Sequence, residues 1–291
     1  MVAVAPGLAL RARLDTAAAT LAAAGIATAR VDAEWLLAGV LGVGRFDAGL
    51  AADRALPADL AVRFEAAVRR RARREPLQRI LGWEAFRGLR IRLTDDVLVP
   101  RPETEVLAEW ALELLPPPRA GVRPLAADLG TGSGCVACAL AAERPDLDVL
   151  ATDCSPAAAA VARANAAALG LGARVHVVVA DLLEGVAAVG ADLVTSNPPY
   201  LPSALVPGLE PEVSLHEPRA ALDGGPDGLA LIRRIVATAQ GALGPAGMLV
   251  LETAGGAQAA SVADLLRAAG YRDVATRADL AGVDRFVAGK R

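Results

Sequence analysis

From Arg101 onward, short apolar runs alternate with longer segments of helical composition, and this alternation limits the possible folds more than any other feature. The pattern predicts buried strands at residues 125–129, 148–152, 174–180, 191–196, 247–252 and 283–288, and a long helix at 227–243. Strands that alternate with helices form a mainly parallel sheet with helices on both faces. This part of the chain is therefore predicted to be an α/β domain.

The loop after the first predicted strand is rich in glycine. Its sequence is Gly130-Thr131-Gly132-Ser133-Gly134, directly ahead of a helical segment. Glycine lets the chain turn sharply and lets a ligand approach the backbone without meeting a side chain. The spacing G-x-G-x-G lacks the third position that a G-x-G-x-x-G loop uses for pyrophosphate. The loop is therefore expected to hold a cofactor other than a dinucleotide.

Polar residues follow three further predicted strands, at the point where each strand ends. Asp153, Asp181 and Asn197 occupy these positions. Ligands of open α/β sheets bind across the carboxyl ends of the strands, so these residues and Gly130 are expected to line one crevice. There Asp153 could accept hydrogen bonds from two ribose hydroxyls. Taken singly, an acidic residue at such a place could instead cap a helix or form a turn.

The segment Asn197-Pro198-Pro199-Tyr200 indicates the chemistry most strongly. Its prolines stiffen the loop and remove two backbone donors, which leaves the Pro198 carbonyl free to face a ligand. An amide or exocyclic amine carries two N–H groups, and its delocalised lone pair makes it a poor nucleophile. The Asn197 side-chain oxygen and the Pro198 carbonyl could accept both N–H groups and aim the nitrogen at a cofactor's methyl group. Tyr200 could stack on the planar group, whereas a proline turn that merely closes a strand is the structural alternative.

The N-terminal part of the chain has a different character. Residues 8–75 are rich in Ala, Leu, Arg and Glu, which predicts a small helical bundle with Asp32 as one N-cap. Apolar residues then alternate with arginines, which predicts a β-hairpin. Five arginines between Arg69 and Arg74 could contact an acidic protein surface or ribosomal RNA, or could end a helix in solvent. The predicted domains are a bundle at 1–80, a hairpin connector at 81–100 and the α/β domain at 101–291.

Composition argues against several functional classes. The formal net charge of −3 does not provide the positive field typical of nucleic-acid binding. Three cysteines cannot form a disulfide framework, and the N-terminus lacks the charge order of a signal peptide, so we expect a cytoplasmic protein without a membrane span. Cys135 and Cys138 have no matching second pair of ligands, so we expect no metal and interpret them as buried packing residues.

These motifs resemble those of S-adenosylmethionine-dependent amino-methyltransferases, and the flanking segments resemble the release-factor glutamine methyltransferases, the HemK/PrmC family. The flanking segments are Pro76-Leu77-Gln78-Arg79-Ile80-Leu81-Gly82, Val99-Pro100-Arg101-Pro102-Glu103-Thr104-Glu105, Glu217-Pro218-Arg219-Ala220-Ala221-Leu222, Gly224-Gly225 and Asp227-Gly228-Leu229. The sequence departs from the family pattern at Arg79, where an aromatic residue is usual, and at Leu182, where an aromatic residue often flanks adenine.

The resemblance implies a Rossmann-like class I methyltransferase domain with a mainly parallel seven-stranded sheet, after a helical domain that binds the substrate protein. It implies S-adenosylmethionine as cofactor, S-adenosylhomocysteine as product, and class I peptide-chain release factors as partners, methylated at the glutamine of a Gly-Gly-Gln loop. By motif, the cofactor residues would be Gly130, Thr131, Gly132, Ser133, Gly134, Asp153, Asp181, Leu182 and Asn197. The substrate residues would be Asn197, Pro198, Pro199 and Tyr200, with Asn197, Pro198 and Tyr200 as the catalytic ones.

Three alternatives remain at this point. A nucleic-acid adenine methyltransferase would use a similar proline loop, but it would have to flip a base and hold a polyanion, which the acidic net charge argues against. Related enzymes that methylate a ribosomal-protein glutamine lack the Arg-Pro-Glu-Thr-Glu form that this sequence has, so this alternative ranks lower. A cofactor-binding scaffold that recruits a partner would not need an intact Asn-Pro-Pro-Tyr segment, so the presence of the segment makes a scaffold less favoured.

Overall fold

A computed structural model describes residues 10–46, 55–117, 121, 123–186 and 190–291. The chain divides into two compact units, which are described in turn. One unit comprises Met1–Gly82 and Glu210–His216, and the other comprises Trp83–Leu209 and Glu217–Arg291. This division differs from the predicted domains in two respects. The hairpin groups with the α/β unit, and a short segment late in the chain groups with the helical unit.

The helical unit is built from the described helices of the N-terminal region together with a short helical turn at Pro211–Ser214. The longer helices are α1 (Leu10–Ala23), α2 (Ala29–Leu41), α3 (Ala58–Ala72) and α4 (Leu77–Leu81). Apolar residues at helical spacing, such as Leu14, Leu21, Leu37 and Phe64, are buried and form the core of this unit. Burial of one face of each helix stabilises segments that would be marginal as isolated helices.

Ion pairs within the helical unit engage part of the predicted arginine cluster. Arg71 and Asp32 are both buried, and Arg71 Nε donates to Asp32 Oδ2 at 2.7 Å. Arg71 and Arg74 also donate to Glu212 Oε1, at 2.8 and 2.7 Å. Burial alone would raise the pKa of Glu212, but hydrogen bonds from Arg74 and Arg71 outweigh it and lower the pKa to about 2. Asp32 lies inside the first turn of α2, so its prediction as an N-cap was wrong; a buried charge needs a partner, and Arg71 provides it.

The α/β unit contains a hairpin, a seven-stranded sheet and the helices that cover it. The hairpin strands are β1 (Trp83–Phe86) and β2 (Leu89–Arg92). The sheet strands are β3 (Leu125–Leu129), β4 (Asp148–Asp153), β5 (Val175–Val179), β6 (Ala191–Ser196), β7 (Leu243–Glu252), β8 (Arg272–Ala278) and β9 (Asp284–Lys290). The main helices are α5 (Pro102–Leu114), α6 (Cys135–Glu143), α7 (Pro156–Ala168), α8 (Ala230–Ala242) and α9 (Ala257–Ala268). Short 3-10 turns lie at Val206–Gly208 and Arg219–Ala221.

The sheet has the strand order β5-β4-β3-β6-β7-β9-β8. Neighbouring strands are parallel from β5 to β7, and β9 is antiparallel to both β7 and β8. The chain therefore reverses its direction of strand addition between β3 and β6, which is where ligands bind in such sheets. This confirms the expected mainly parallel sheet. The apolar pattern did not predict β8, because this edge strand is mostly exposed and carries Arg272, Asp273 and Arg277.

Each central strand sends alternate side chains to opposite faces of the sheet. Leu193 of β6 joins a core that α5, α6 and α7 complete, whereas Val194 joins a second core completed by α8 and α9. The hairpin residues Phe86 and Ile91 belong to the first core, which explains why the hairpin groups with this unit. Among the helices that the structure describes, none is both long and apolar enough to span a bilayer.

Candidate active site

The glycine loop connects β3 to α6 at the switch point of the sheet. Gly130, Gly132 and Gly134 have φ angles of 69°, 55° and 78°, a region that glycine adopts without steric cost. A Cβ built on Gly130 or Gly132 would meet no heavy atom within 4 Å. A Cβ on Gly134 would lie 3.0 Å from the Cβ of Ala162 in α7. Gly134 is therefore required for packing, whereas the first two glycines leave their backbone open to a ligand.

Asp153, the last residue of β4, lies beside this loop. Its Oδ2 accepts a hydrogen bond from the Gly132 N–H at 2.9 Å, and its Oδ1 accepts one from the Ser155 N–H at 2.9 Å. An ionised carboxylate has about four acceptor sites, so each oxygen keeps capacity for a second donor. Asp153 is half-buried. The structure thus combines a fixed carboxylate and an open glycine backbone, as the strand-end pattern predicted.

A buried carboxylate supports the loop from below. Asp128 is 2% exposed, and it accepts hydrogen bonds from the hydroxyls of Thr131 at 2.6 Å and Thr195 at 3.1 Å. Burial raises the pKa of Asp128 to about 6 despite these two hydrogen bonds. The Ser133 carbonyl accepts from the Asn165 side chain at 2.8 Å. Thr131 and Ser133 are themselves buried, and they stabilise the loop from its protein side.

Asp181 and Leu182, the other predicted cofactor residues, follow β5. Asp181 Oδ2 accepts a hydrogen bond from Arg234 in α8 at 2.8 Å, and both side chains are nearly half exposed. Leu182 is buried in the second core and has a φ of 54°, which is uncommon for a residue with a branched side chain. The pair therefore presents a surface carboxylate and a packed apolar side chain at this strand end.

Asn197 begins the segment Asn197-Pro198-Pro199-Tyr200, called the substrate loop after its predicted role, directly after β6. Its Nδ2 donates to the hydroxyl of Thr104 in α5 at 3.0 Å, and Thr104 is 2% exposed. This bond fixes the side-chain amide and leaves Asn197 Oδ1 without a hydrogen bond from the described residues. The Ser196 hydroxyl donates to the Leu129 carbonyl at 2.7 Å. Since Leu129 ends β3, this bond holds the start of the substrate loop next to the glycine loop.

The next residue adds a second open acceptor. Pro198 is buried, and neither it nor Pro199 has a backbone N–H. The Pro198 carbonyl oxygen accepts no hydrogen bond from the part of the chain that the structure describes. Asn197 Oδ1 and this carbonyl therefore provide two acceptors on adjacent residues, which matches the two N–H groups of a primary amide or amine.

A second buried carboxylate lies behind the substrate loop. Glu252, the last residue of β7, is 1% exposed, and its Oε1 accepts from the Tyr200 hydroxyl at 3.4 Å. No hydrogen bond of normal geometry from the described residues reaches its Oε2. Burial raises the pKa of Glu252 to about 7, whereas the Thr104 hydroxyl and the charge of Arg285 favour the ionised form and Glu103 opposes it. Sequence reasoning missed this residue. The signal that could have identified it is a single carboxylate at the end of an apolar strand.

Tyr200 is held at both its ring and its backbone. The ring packs against the second core, and its hydroxyl donates to Glu252. The Tyr200 carbonyl accepts from the Gln258 side chain at 2.9 Å. Burial raises the pKa of Tyr200 far above its ordinary value. These contacts fix the ring, whereas stacking of the ring on a substrate stays a prediction.

Two glycines of a later segment lie directly against the substrate loop. A Cβ on Gly224 would lie 2.7 Å from the Pro199 carbonyl oxygen, and a Cβ on Gly228 would overlap the Tyr200 carbonyl oxygen. The Gly224 N–H donates to the Leu201 carbonyl at 2.8 Å, which pairs this segment with the end of the loop. Only glycine allows this approach. The sequence contained the glycines as a motif, but their role depended on a contact that spacing does not reveal.

Two further motif residues tie the surrounding segments together. The Glu217 side chain is fully buried; it accepts from the Val99 N–H at 3.4 Å and from Arg101 at 3.2 Å. Glu105 accepts from the Arg87 N–H in the hairpin turn at 2.9 Å. Together with Thr104, these contacts give the segment from Val99 to Glu105, which includes the first turn of α5, a structural role around the site that sequence reasoning had not assigned.

The cysteines form no part of the site. Cys135 and Cys138 are 8% and 0% exposed, which confirms them as buried packing residues. Burial raises the pKa of both thiols to about 12, so neither is a reactive thiolate near neutral pH. Among the described residues, no group of three or more His, Cys, Asp or Glu side chains is arranged to hold a metal ion.

The residues at the switch point fit S-adenosylmethionine. The open backbone at Gly130 and Gly132 admits a ligand with no side chain in the way. The spare acceptor sites of Asp153 suit two hydroxyls of a ribose. The substrate loop begins at the neighbouring strand end, so a nucleophile held by Asn197 would lie on the cofactor side of the sheet.

Two protein families match parts of this chain. The family described as "PrmC N-terminal domain" matches residues 13–82, and the family described as "Methyltransferase small domain" matches residues 111–205. Among solved structures, the catalytic domain of hMettl16 in complex with a MAT2A 3'UTR hairpin has a TM-score of 0.57 at 20% identity, covering 77% of this chain and 81% of that one. A methyltransferase from Pyrococcus furiosus has a TM-score of 0.52 at 19% identity, covering 70% and 89%. These structures confirm the class I methyltransferase fold.

Curated relatives extend over nearly the whole chain. A release factor glutamine methyltransferase of Geobacter sulfurreducens is 42% identical over 97% of this chain and 96% of its own length. The protein of the same name from Cereibacter sphaeroides is 45% identical over 95% and 96%. That of Mycolicibacterium smegmatis is 43% identical over 97% and 98%. The resemblance found in the motifs is thereby confirmed: this chain belongs to the release factor glutamine methyltransferase family.

Proposed function

We propose that this protein transfers a methyl group from S-adenosylmethionine to the side-chain amide nitrogen of the glutamine in the Gly-Gly-Gln loop of class I peptide-chain release factors. The observation that carries the proposal is the pair of open acceptors, Asn197 Oδ1 and the Pro198 carbonyl. A glutamine amide has two N–H donors, so this pair can bind both. The names of the full-length relatives support a release factor as the substrate.

Asn197 and Pro198 select and orient the amide. If either acceptor were missing, a buried substrate N–H would lose its partner at a cost of about 1–3 kcal/mol. Because Thr104 fixes the Asn197 amide from behind, the geometry exists before the substrate binds and requires little reordering. Tyr200 then contributes a rigid aromatic face on which the planar amide can stack. We assign no general base, since the proton of the methylated nitrogen can leave to water.

The cofactor is assigned to the glycine loop after β3 and to the ends of β4 and β5. When bound, S-adenosylmethionine supplies a methyl carbon attached to a positively charged sulfur. Asp153 is assigned to its ribose hydroxyls, and the backbone from Gly130 to Gly134 is assigned to the part nearest the loop. Asp181 and Leu182 are assigned to the adenine side, where Asp181 keeps one oxygen that its ion pair with Arg234 does not use.

We assign recognition of the release factor to the helical unit. Residues 13–82 match a family that is named after the N-terminal domain of PrmC. The unit has its own apolar core and a buried ion pair between Arg71 and Asp32, so it can present a shaped surface of its own. On this proposal, removal of the unit impairs binding of the intact release factor more than binding of the cofactor.

The test is to incubate the purified protein with labelled S-adenosylmethionine and one of four acceptors: an unmethylated class I release factor, its Gln→Ala loop variant, DNA or RNA. We expect label on the intact release factor alone. Asn197→Ala should lower kcat at least about 100-fold, equivalent to about 2.7 kcal/mol, while the affinity for cofactor measured by calorimetry stays the same. Label on nucleic acid, or equal label on the Gln→Ala variant, would refute the proposal.

A further inference from the structure

The Gln258 side chain connects two loops at the carboxyl end of β7, and the proposed reaction gives it no role. Gln258 lies in the first turn of α9 and is half-buried. Its Nε2 donates to the Tyr200 carbonyl at 2.9 Å, and its Oε1 accepts from the Ala254 N–H at 2.8 Å. A backbone carbonyl only accepts and a backbone N–H only donates, so a single orientation of the amide satisfies both partners. Gln258 is therefore a fixed bridge between Tyr200 and Ala254.

The Ala254 side of this bridge is anchored to the sheet. Ala254 lies in the loop between β7 and α9, and this loop bonds to the start of β9, an interior strand. The Thr253 N–H donates to the Arg285 carbonyl at 2.9 Å. The Gly256 N–H donates to the Asp284 carbonyl at 2.8 Å, and Arg285 Nη1 donates to the Ala254 carbonyl at 3.3 Å. The glutamine is consequently held by a loop that the sheet itself fixes.

The Tyr200 side of the bridge depends on the glutamine. Among the residues that the structure describes, only Gln258 donates a hydrogen bond to the Tyr200 carbonyl. A Cβ on Gly228 would overlap this carbonyl oxygen and would lie 2.9 Å from Gln258 Nε2. The backbone of Gly228 therefore packs against the hydrogen bond and covers it on one side. Loss of the Gln258 donor would leave a carbonyl group that no other described residue satisfies.

The two prolines link the Tyr200 carbonyl mechanically to the acceptors of the substrate loop. Each proline ring fixes its own φ, and a residue that precedes a proline is restricted to extended conformations. Asn197 and Pro198 both precede a proline, so the segment from Asn197 to Pro199 is stiff. The bonds of Asn197 and Ser196 hold one end of the segment, and the Tyr200 carbonyl holds the other. The direction of the Pro198 carbonyl, which lies between them, is therefore set by both ends.

We propose that Gln258 is a positioning residue, which holds the Tyr200 carbonyl and thereby keeps the Pro198 carbonyl directed at the substrate amide. This inference rests on the proposed function and adds a residue to it. Gln258 acts through the stiff loop, and we assign it no contact with substrate or cofactor. Without its donor, the Tyr200 end of the loop is free to move, and the Pro198 carbonyl turns away from the substrate N–H. The defect is expected in methyl transfer, because a small misplacement of an orienting group lowers turnover strongly.

Gln258→Glu tests this inference. It keeps the shape of the side chain and an acceptor for the Ala254 N–H, but at pH 8 it has no donor for the Tyr200 carbonyl. Gln240→Glu is the matched control, because Gln240 Nε2 also donates to a backbone carbonyl, that of Ala269. With labelled S-adenosylmethionine and an unmethylated class I release factor, we expect Gln258→Glu to lower kcat about 30-fold and Gln240→Glu less than about 2-fold. The Kd for cofactor, measured by calorimetry, should stay within about 2-fold of wild type in both variants.

A second readout separates positioning from stability. If Gln258 only stabilised the fold, Gln258→Glu would lower the urea midpoint and leave kcat of the folded protein unchanged, and this result would overturn the inference. Pro199→Ala tests the role of the stiff loop. In a Pro199→Ala protein, Gln258→Glu should lower kcat by less than about 3-fold, because a flexible loop no longer transmits the displacement. A further loss of about 30-fold there would contradict the inference.

The same assay distinguishes this inference from the proposed function. A wild-type protein that did not methylate the release factor would refute the proposed function. A wild-type protein that did so, together with a fully active Gln258→Glu variant, would refute only the role of Gln258.

Discussion

Gly224→Ala should separate catalysis from folding, because Gly224 lies against the substrate loop without any unusual backbone conformation. A Cβ at this position would lie 2.7 Å from the carbonyl oxygens of Pro199 and Gly228. Ordinary contact begins at 3.4 Å, so both segments, or Gly224 itself, must move by about 0.7 Å. Both obstacles are backbone atoms, which cannot turn aside as a flexible side chain could. The expected result is a displaced Asn-Pro-Pro-Tyr loop in a protein that still folds.

The magnitude follows from the sensitivity of reacting geometry. A misplacement of about 1 Å can lower turnover about 100-fold, so a shift of about 0.7 Å should lower kcat between about 10-fold and 100-fold. Overpacking should also destabilise the fold by about 1–3 kcal/mol. The assay measures kcat with labelled S-adenosylmethionine and a release factor, together with urea denaturation of the same preparation.

Gly208→Ala is the matched control. A Cβ on Gly208 would meet nothing within 4 Å, and its φ also lies outside the left-handed region. This variant should retain kcat within about 2-fold and stability within about 0.5 kcal/mol. The reasoning is refuted if folded Gly224→Ala turns over at the wild-type rate, or if Gly208→Ala loses as much activity as Gly224→Ala.

Three other predictions follow from single residues. Asp153→Ala should weaken cofactor binding at least about 10-fold by calorimetry, and an unchanged Kd would remove Asp153 from the site. The pKa of Glu252 is raised from 4.5 to about 7, so stability present below pH 4.5 should be lost as the pH rises through 7. Urea denaturation should show the free energy of unfolding to be about 3 kcal/mol lower at pH 8 than at pH 5 in the wild type, and this difference should disappear in Glu252→Gln. An equal difference in both proteins would contradict the prediction. Arg71→Ala leaves Asp32 buried without its arginine and should lower the free energy of unfolding, measured by urea denaturation, by about 3–5 kcal/mol. Arg69 is exposed, so Arg69→Ala should change the same free energy by less than about 0.5 kcal/mol.

The central sheet, and the strand ends at which the candidate site lies, could be predicted because they depend on local patterns. An apolar run such as 191–196 must be buried on both faces, and the carboxyl ends of parallel strands meet at one edge. Asn197 and Asp153 were placed by this rule alone. The edge strand β8 could not be found in the same way, since Arg272 and Arg277 give it the composition of a surface loop.

The support of the site could not be predicted, because it depends on contacts between distant segments. Thr104 and Asn197 are 93 residues apart in sequence, and no spacing rule pairs them. Asp32 shows the opposite error: the local pattern favoured an N-cap, but a partner 39 residues away, Arg71, determined its role. A carboxylate is equally suited to capping a helix and to pairing with an arginine, so only the folded structure decides between them.

The grouping of Glu210–His216 with the helical unit has a consequence for synthesis and engineering. The chain passes between the two units after Gly82, after Leu209 and again after His216. A fragment that ends at Gly82 therefore lacks Glu212, and its Arg71 and Arg74 would be without that carboxylate. During translation the helical unit cannot be completed until residue 216 has left the ribosome. A chimera that exchanges only the N-terminal segment between relatives would consequently join mismatched parts of the helical unit. To exchange the whole unit, the seven residues 210–216 must be exchanged as well.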